Sequence, residues 1–390
     1  MYIVNHKPMK TVSERNRGFD SLRGILALLV IIGHLDYIRA FFGFVNVGVN
    51  PLIYHLGRIS VSGFFVLSGF LITRNLLKLH NSNLPRLKKF RLFYLKRMLR
   101  ILPLYYTIIL LSFYILPHIE ALHYPVPPSV RDARIEAGTS GYYYLLIPQI
   151  ALANNIVLPF AEPTWSIGVE EIFYICMPLF LFLIPFKKNW LLYSAAAFVG
   201  VKIGYWFFVP SCFNDRLFAI LLLCRFECIL IGCYAGYLYY EKNKLINHLK
   251  RKHAYYALFL ILIFACLMGL KSFLYIHFSV CFAIIILLVA KEKFRFLNNK
   301  PLAFIGKISF SLYLVHEIAI VLILNIKSLS TPSRPSSPLV YILVVVCALP
   351  IAWLFYKLVE EPFLRLKEKI DSQQLGEIKN TPPAPELFVE

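Results

Sequence analysis

The apolar run FDSLRGILALLVIIGH, residues 19 to 34, contains three ionisable groups, Asp20, Arg23 and His34. On an α-helix the eleven steps from Arg23 to His34 make roughly three turns plus 20°, so the two share a face, about 16 Å apart along the axis. Two later apolar runs carry further groups. PTWSIGVEEIFY places Trp165, Ser166 and Glu170 at a helix start, and PLAFIGKISFSLYLVHEIAI places His316 and Glu317 deep in another. A histidine with an unperturbed pKa near ~6.5 suits removal of a proton from a hydroxyl nucleophile, and a carboxylate beside it would orient the ring and stabilise its imidazolium form. This gives His34 as base and Glu170 as its orienting partner. Arg97 and Arg100 are one helical turn apart in LKRMLRILPLYY and could hold a phosphate through planar, paired donors.

The elements that position these groups must be membrane helices. Of 390 residues 58% are hydrophobic and only 16% charged, and the mean hydropathy is +0.65, which excludes an ordinary soluble domain. The start, MYIVNHKPMKTVSERNRG, is too polar and long for a cleaved signal peptide, so the first helix is expected to be retained. Apolar stretches near residues 19–38, 52–77, 99–117, 166–185, 190–210, 217–240, 255–271, 273–290, 301–326 and 338–358 predict an all-α integral membrane protein of about ten transmembrane helices. Lys and Arg alternate strongly between the connecting segments. The basic set includes Lys7 to Arg17, Arg74 to Arg100, Lys242 to Lys252, Lys291 to Lys300 and Arg365 to Lys369, which puts both termini in the cytoplasm.

The expected organisation is a cytoplasmic segment 1–18, a membrane domain 19–366 and a disordered cytoplasmic tail 367–390. Within the membrane domain, 118–164 is read as a long outer loop. Its part YYYLLIPQIALANNIVL, with Pro148, Gln149, Asn154 and Asn155, is read as interfacial or re-entrant, because a span there would invert every downstream charge. The net charge of +20 fits basic loops facing an anionic leaflet better than nucleic acid. The eight cysteines show no metal-ligand spacing and no CxxC pair, so no metal site and no disulfide are expected.

With this topology His34 lies ~22 Å into an outward-running helix, and His316 reaches a similar depth fifteen residues past Pro301. His34, Glu170 and His316 are therefore expected together in the outer half. Ionisable groups at such depth are expensive and point to a site. Arg58, Lys202, Arg225 and Glu227 lie deeper, and Arg225 requires a carboxylate, a carbonyl or an anionic ligand; for Lys202 and for His277 the alternative reading is a side chain reaching an interface.

These motifs, together with GRISVSGFFVLSGFLITR, resemble the membrane acyltransferase family 3, the bacterial O-acyltransferases of surface polysaccharides. The likeness runs over about residues 17 to 366. It matches the family's Arg and His on the first helix with Arg23 and His34, its Arg-x-x-Arg with Arg97 and Arg100, its Trp-Ser-x-x-x-Glu with Trp165, Ser166 and Glu170, and its late histidine with His316. It implies a multi-pass protein of a bacterial cytoplasmic membrane that moves an acyl group, usually acetyl, from cytoplasmic acyl-CoA to a surface polysaccharide or glycolipid.

Acetyl-CoA is then a co-substrate and no cofactor is permanently bound. Arg23, Arg97 and Arg100 would bind the donor. His316 would bind the acceptor or polarise the carbonyl, and Asp20, Trp165, Ser166, Arg58 and Arg225 would support the site. Direct base catalysis and a transient acyl-histidine both remain open. Many relatives add an extracytoplasmic SGNH-type domain after the last helix. It is not expected in the short remainder here, which implies a separate extracytoplasmic partner. The rival readings are a flippase for a lipid-linked sugar and a membrane sensor whose enzymatic site has decayed.

Overall fold

The computed structural model describes residues 17–43, 51–183, 188–209, 215–267, 275–291, 295–326 and 338–380. The fold is almost wholly helical, as apolar segments without water must satisfy their own backbone groups. In chain order the helices are α1 (Arg17–Ile38), α2 (Pro51–His80), α3 (Arg86–Tyr114), α4 (Ser140–Tyr144), α5 (Pro148–Ala153), α6 (Thr164–Leu183), α7 (Lys188–Phe208), α8 (Arg216–Leu223), α9 (Phe226–Tyr240), α10 (Arg251–Leu267), α11 (Ile276–Ala290), α12 (Lys300–Lys307), α13 (Ser309–Leu324), α14 (Pro338–Phe355) and α15 (Glu361–Asn380). Among the described residues seven candidate spans are long and apolar enough to cross a membrane, or eight if α12 and α13, bent by 77° at their junction, form one. The chain is thus an all-α membrane protein with several passes.

Small residues set how closely the helices approach. Gly232 and Gly236, one turn apart on α9, lie against the α2 backbone at Val66 and Phe70, and Gly69 of α2 lies against Ile229 in return. There is no room for a Cβ at these points, the expected geometry where membrane helices associate by close packing. Gly24 of α1 meets the Leu302 carbonyl, and Gly306 of α12 meets the backbone of Asp20, which seats α12 across the start of α1.

Lys202 is one of the deep groups and does not reach an interface. It is fully buried and forms an ion pair of 2.8 and 3.0 Å with both carboxylate oxygens of Glu227, joining α7 to α9. Two charges enclosed in apolar surroundings must pair in this way, since either alone would carry its full desolvation cost.

The segment between α3 and α6 contains no span: α4 has five residues and α5 six. A two-residue parallel pair, β1 (Arg131–Asp132) and β2 (Ile156–Val157), ties its two arms together. Hydroxyls of Tyr105 and Tyr106 on α3 donate to the carbonyls of Tyr143 and Tyr144 at 2.7 and 3.0 Å. The loop therefore caps the end of the bundle remote from the short α2–α3 turn.

The expected tail is different in the structure. A π turn, Tyr356–Glu360, joins α14 to α15, and Ser311 donates to the buried Glu360 carboxylate at 2.7 Å. α15 continues as helix to Asn380, and Lys96 of α3 forms a 2.5 Å ion pair with Asp371. Residues 381–390 of the expected tail, and nearly all of the segment 1–18, lie outside the described residues.

Candidate active site

Two of the expected residues meet directly. His34 Nδ1 lies 2.8 Å from His316 Nε2, and His316 Nδ1 lies 2.8 Å from the backbone carbonyl of Tyr313. The carbonyl can only accept, so in the neutral pair His316 carries its proton on Nδ1 and presents a lone pair at Nε2. His34 must then donate from Nδ1. Its Nε2 is left as the unprotonated nitrogen, the atom that can act as a base. One backbone oxygen thus fixes both tautomers. His316 is fully buried and His34 half-buried, so the fixed end of the pair is shielded from competing water.

Glu170 is not the partner of His34. Ser68 Oγ donates to one of its carboxylate oxygens at 2.9 Å, and the Tyr174 hydroxyl donates to the other. No hydrogen bond joins it to His34. α12 and α13 are bent by 77° and do not form one straight helix, so His316 does not lie fifteen helical residues deep from Pro301. The observed register runs through Ser166 and Tyr313, whose hydroxyls lie 2.8 Å apart. From that level His316 is three residues one way and Glu170 four the other, an axial separation of roughly 10 Å.

Glu170 belongs instead to a cavity of about 200 Å³. Arg23, Asn75, Arg97, Arg100 and Lys367 line it towards the α2–α3 end, and Val61, Phe64, Ser166 and Tyr313 line it towards the histidines. Its lining on α2 extends from Val61 to Asn75, fourteen residues or about 21 Å. Long and narrow, the cavity is a slot suited to a thin chain. Four cations and one carboxylate border it. Arg97 is held over the rings of Phe93 and Tyr174, with 5.0 Å to the latter, while Arg23 lies 3.4 Å from Asp20.

Arg225 forms a third group, at the break between α8 and α9. It finds the carbonyl required by its depth, donating to Arg58 O at 2.6 Å and to Ser62 Oγ at 3.1 Å. Its guanidinium also lies over Tyr275 and Trp165, at 3.7 and 5.5 Å from the ring centres. Trp165, Arg58 and Arg225 thus brace α2 against the starts of α6 and α9. Near them Glu162, just before α6, is held protonated up to about 7 by burial, against the pull of Arg58.

Sequence reasoning gives no role to Lys367, Tyr313 or Tyr174, whereas Ser68 is expected along the donor's passage and lines the slot. Tyr174 is one turn after Glu170, a spacing that could have found it. Lys367 is on α15, in the stretch where the sequence predicts a disordered tail. Among the described residues no group of His, Cys, Asp or Glu is arranged to hold a metal ion.

A helical membrane protein with a cation-lined slot ending one turn from a tautomer-locked histidine pair is the class these observations define. The family described as an acyltransferase domain matches residues 16–357, and the chain belongs to it, the membrane acyltransferases of family 3. It is similar to the peptidoglycan O-acetyltransferase OatA of Listeria monocytogenes, 26% identical over 88% of this chain and 55% of the relative. It is also similar to the putative peptidoglycan O-acetyltransferase YrhL of Bacillus subtilis, 28% identical over 88% and 54%. The O-acetyltransferase OatA of Staphylococcus aureus is 27% identical over 74% and 50%. The chain spans about half the length of these curated relatives. No solved structure matches it.

Proposed function

We propose that this chain is a membrane O-acetyltransferase that moves an acetyl group from cytoplasmic acetyl-CoA to a hydroxyl of a surface carbohydrate. In this reading the chain crosses a bacterial cytoplasmic membrane ten times with both termini inside. Residues 19–366 form the membrane domain and the loop 118–164 faces outward. Support for the orientation comes from Lys and Arg concentrated at the α2–α3 end. That the relatives OatA and YrhL are named as peptidoglycan O-acetyltransferases supports peptidoglycan or a similar glycan as acceptor.

The observation that carries the reading is the slot between the arginines and the histidines. Arg97, Arg100, Arg23 and Lys367 would hold the donor's phosphates at the cytoplasmic mouth, and the slot is long and narrow enough for the pantetheine arm. The thioester would arrive beside Tyr313 and Ser166, one turn below His316. His34 Nε2 takes the proton of the acceptor hydroxyl as its oxygen attacks the thioester carbon. The carbon–sulfur bond breaks and the proton passes to the thiolate, leaving the acetyl ester and free CoA. His316, accepting from His34 Nδ1, positions the ring and stabilises its cation. Glu170 orders the donor end through Ser68, Tyr174 and the nearby arginines.

Mass spectrometry of envelope glycans from cells lacking the gene, restored with it, and restored with His34→Ala tests the reading. Loss of one acetyl mass that the wild type restores and the variant does not is the expected result. An identical glycan profile in all three strains would refute it.

A further inference from the structure

A second basic site lies apart from the slot. Between the ends of α2 and α9 is a groove of about 870 Å³, lined by Arg74, Lys78, Lys242 and Lys291 and by one carboxylate, Glu241. Arg74 and Lys78 neighbour Asn75 on α2, yet they face away from the cavity that Asn75 lines. Positive charge at this end of a membrane bundle is usual, and as a rule it reaches into water. Arg74 does not. Its guanidinium lies over Tyr239 and Phe70, at 4.9 and 5.5 Å from the ring centres. Tyr239 is itself fixed, its hydroxyl donating to Ala290 O at 3.1 Å.

The guanidinium is therefore held against the two rings at the edge of the groove. Lys291 is held likewise, donating to Asn247 Oδ1 at 2.8 Å. Arg74, Lys78 and Lys242 form no ion pair with Glu241 or any other described carboxylate. Four cations and a single carboxylate round one groove, with Arg74 held against two rings, leave a net positive charge that an anion would neutralise. The planar donors of an arginine with nearby ammonium groups match a phosphate.

We infer that this groove binds a phosphate-bearing anion, and that the anion is the headgroup of an anionic phospholipid. The candidate spans containing α2 and α9 end at His80 and Tyr240, beside the groove, so it opens at the level of lipid headgroups. Basic pockets between helices at that level take such headgroups. A soluble nucleotide phosphate has the same chemistry and is the alternative source. The inference does not depend on the proposed acetyl transfer, because the groove and the slot share no lining residue.

The test uses the full chain in nanodiscs of phosphatidylcholine with and without phosphatidylglycerol. Native mass spectrometry counts the phosphatidylglycerol retained by the wild type, by Arg74→Gln/Lys78→Gln and by Lys78→Gln/Lys242→Gln. The last pair leaves the stacked arginine untouched, so a folding defect at Arg74 does not decide the outcome. Retention should fall about tenfold in both double variants, with phosphatidylcholine retention unchanged. A parallel titration with adenosine 3′,5′-bisphosphate in pure phosphatidylcholine covers the other source. If only that binding falls, the site takes a soluble phosphate and the lipid assignment is overturned. If neither changes, the groove binds no phosphate and the inference fails.

Discussion

At the scale of single residues, the site turns on which nitrogen of His34 is free. The Tyr313 carbonyl sets the His316 tautomer, and His316 sets that of His34. His34→Ala should lower acetyl transfer by about 10² to 10⁴, the usual contribution of a positioned base, while leaving the protein in the membrane. His316→Ala should lower kcat by about 10² or more, with the donor KM little changed, because the ring of His34 loses its orienting partner. Glu170→Gln should act differently. Its carboxylate receives Ser68 and Tyr174 at the arginine end, so the variant should raise the donor KM and preserve the wild-type pH dependence of kcat. Steady-state kinetics on acetyl-CoA separates the two patterns; a changed pH profile in Glu170→Gln would return that residue to the side of His34. Glu162 supplies a second pH signal. Because its folded pKa is raised to about 7, the folded state holds a proton that the unfolded state releases between about pH 4.5 and 7. Stability should fall as pH rises through that window, and Glu162→Gln should flatten the fall in a thermal unfolding series.

At the scale of elements, the close approaches decide whether the slot exists. Gly232 and Gly236 let α9 lie on the α2 backbone, and Gly306 lets α12 cross α1 at Asp20. Gly232→Ala should therefore cost about 1 to 3 kcal/mol, the usual range for overpacking, read as a lowered unfolding temperature in detergent. Most of these elements were legible in the sequence, since apolar length and charge alternation locate helices in a membrane protein. The breaks were not. α8 and α9 part at Arg225, where the guanidinium bonds the Arg58 carbonyl on another helix, and α12 and α13 part at Ile308, which is neither Gly nor Pro. Such breaks depend on partners far away in the chain, and local composition does not report them. The same holds for the site. His34, Arg97 and Arg100 stand out because charge is rare in apolar helices, whereas Tyr313 and Lys367 look ordinary until the bundle closes round them. Lys367→Ala tests this directly: it should raise the donor KM about tenfold with little effect on folding.

At the scale of the molecule, the slot works only if its two ends face different compartments. The structure puts the loop between α3 and α6 at one end of the bundle, and α15 beside the start of α3 at the other, through the Lys96–Asp371 pair. Arg97, Arg100 and Lys367 open towards the second end, where the basic segments concentrate. If the positive-inside bias holds, a cytoplasmic phosphate-bearing donor meets these cations without crossing the membrane, and only the acetyl group travels on. Cysteine labelling decides the orientation. Ile135, highly exposed in the α3–α6 loop, and Ser372, exposed on α15, are the positions to substitute. Ile135→Cys should react with a membrane-impermeant maleimide in intact cells, and Ser372→Cys only after permeabilisation. The reverse pattern would put the arginines outside, beyond the reach of acetyl-CoA, and the slot would then have to serve an extracytoplasmic donor.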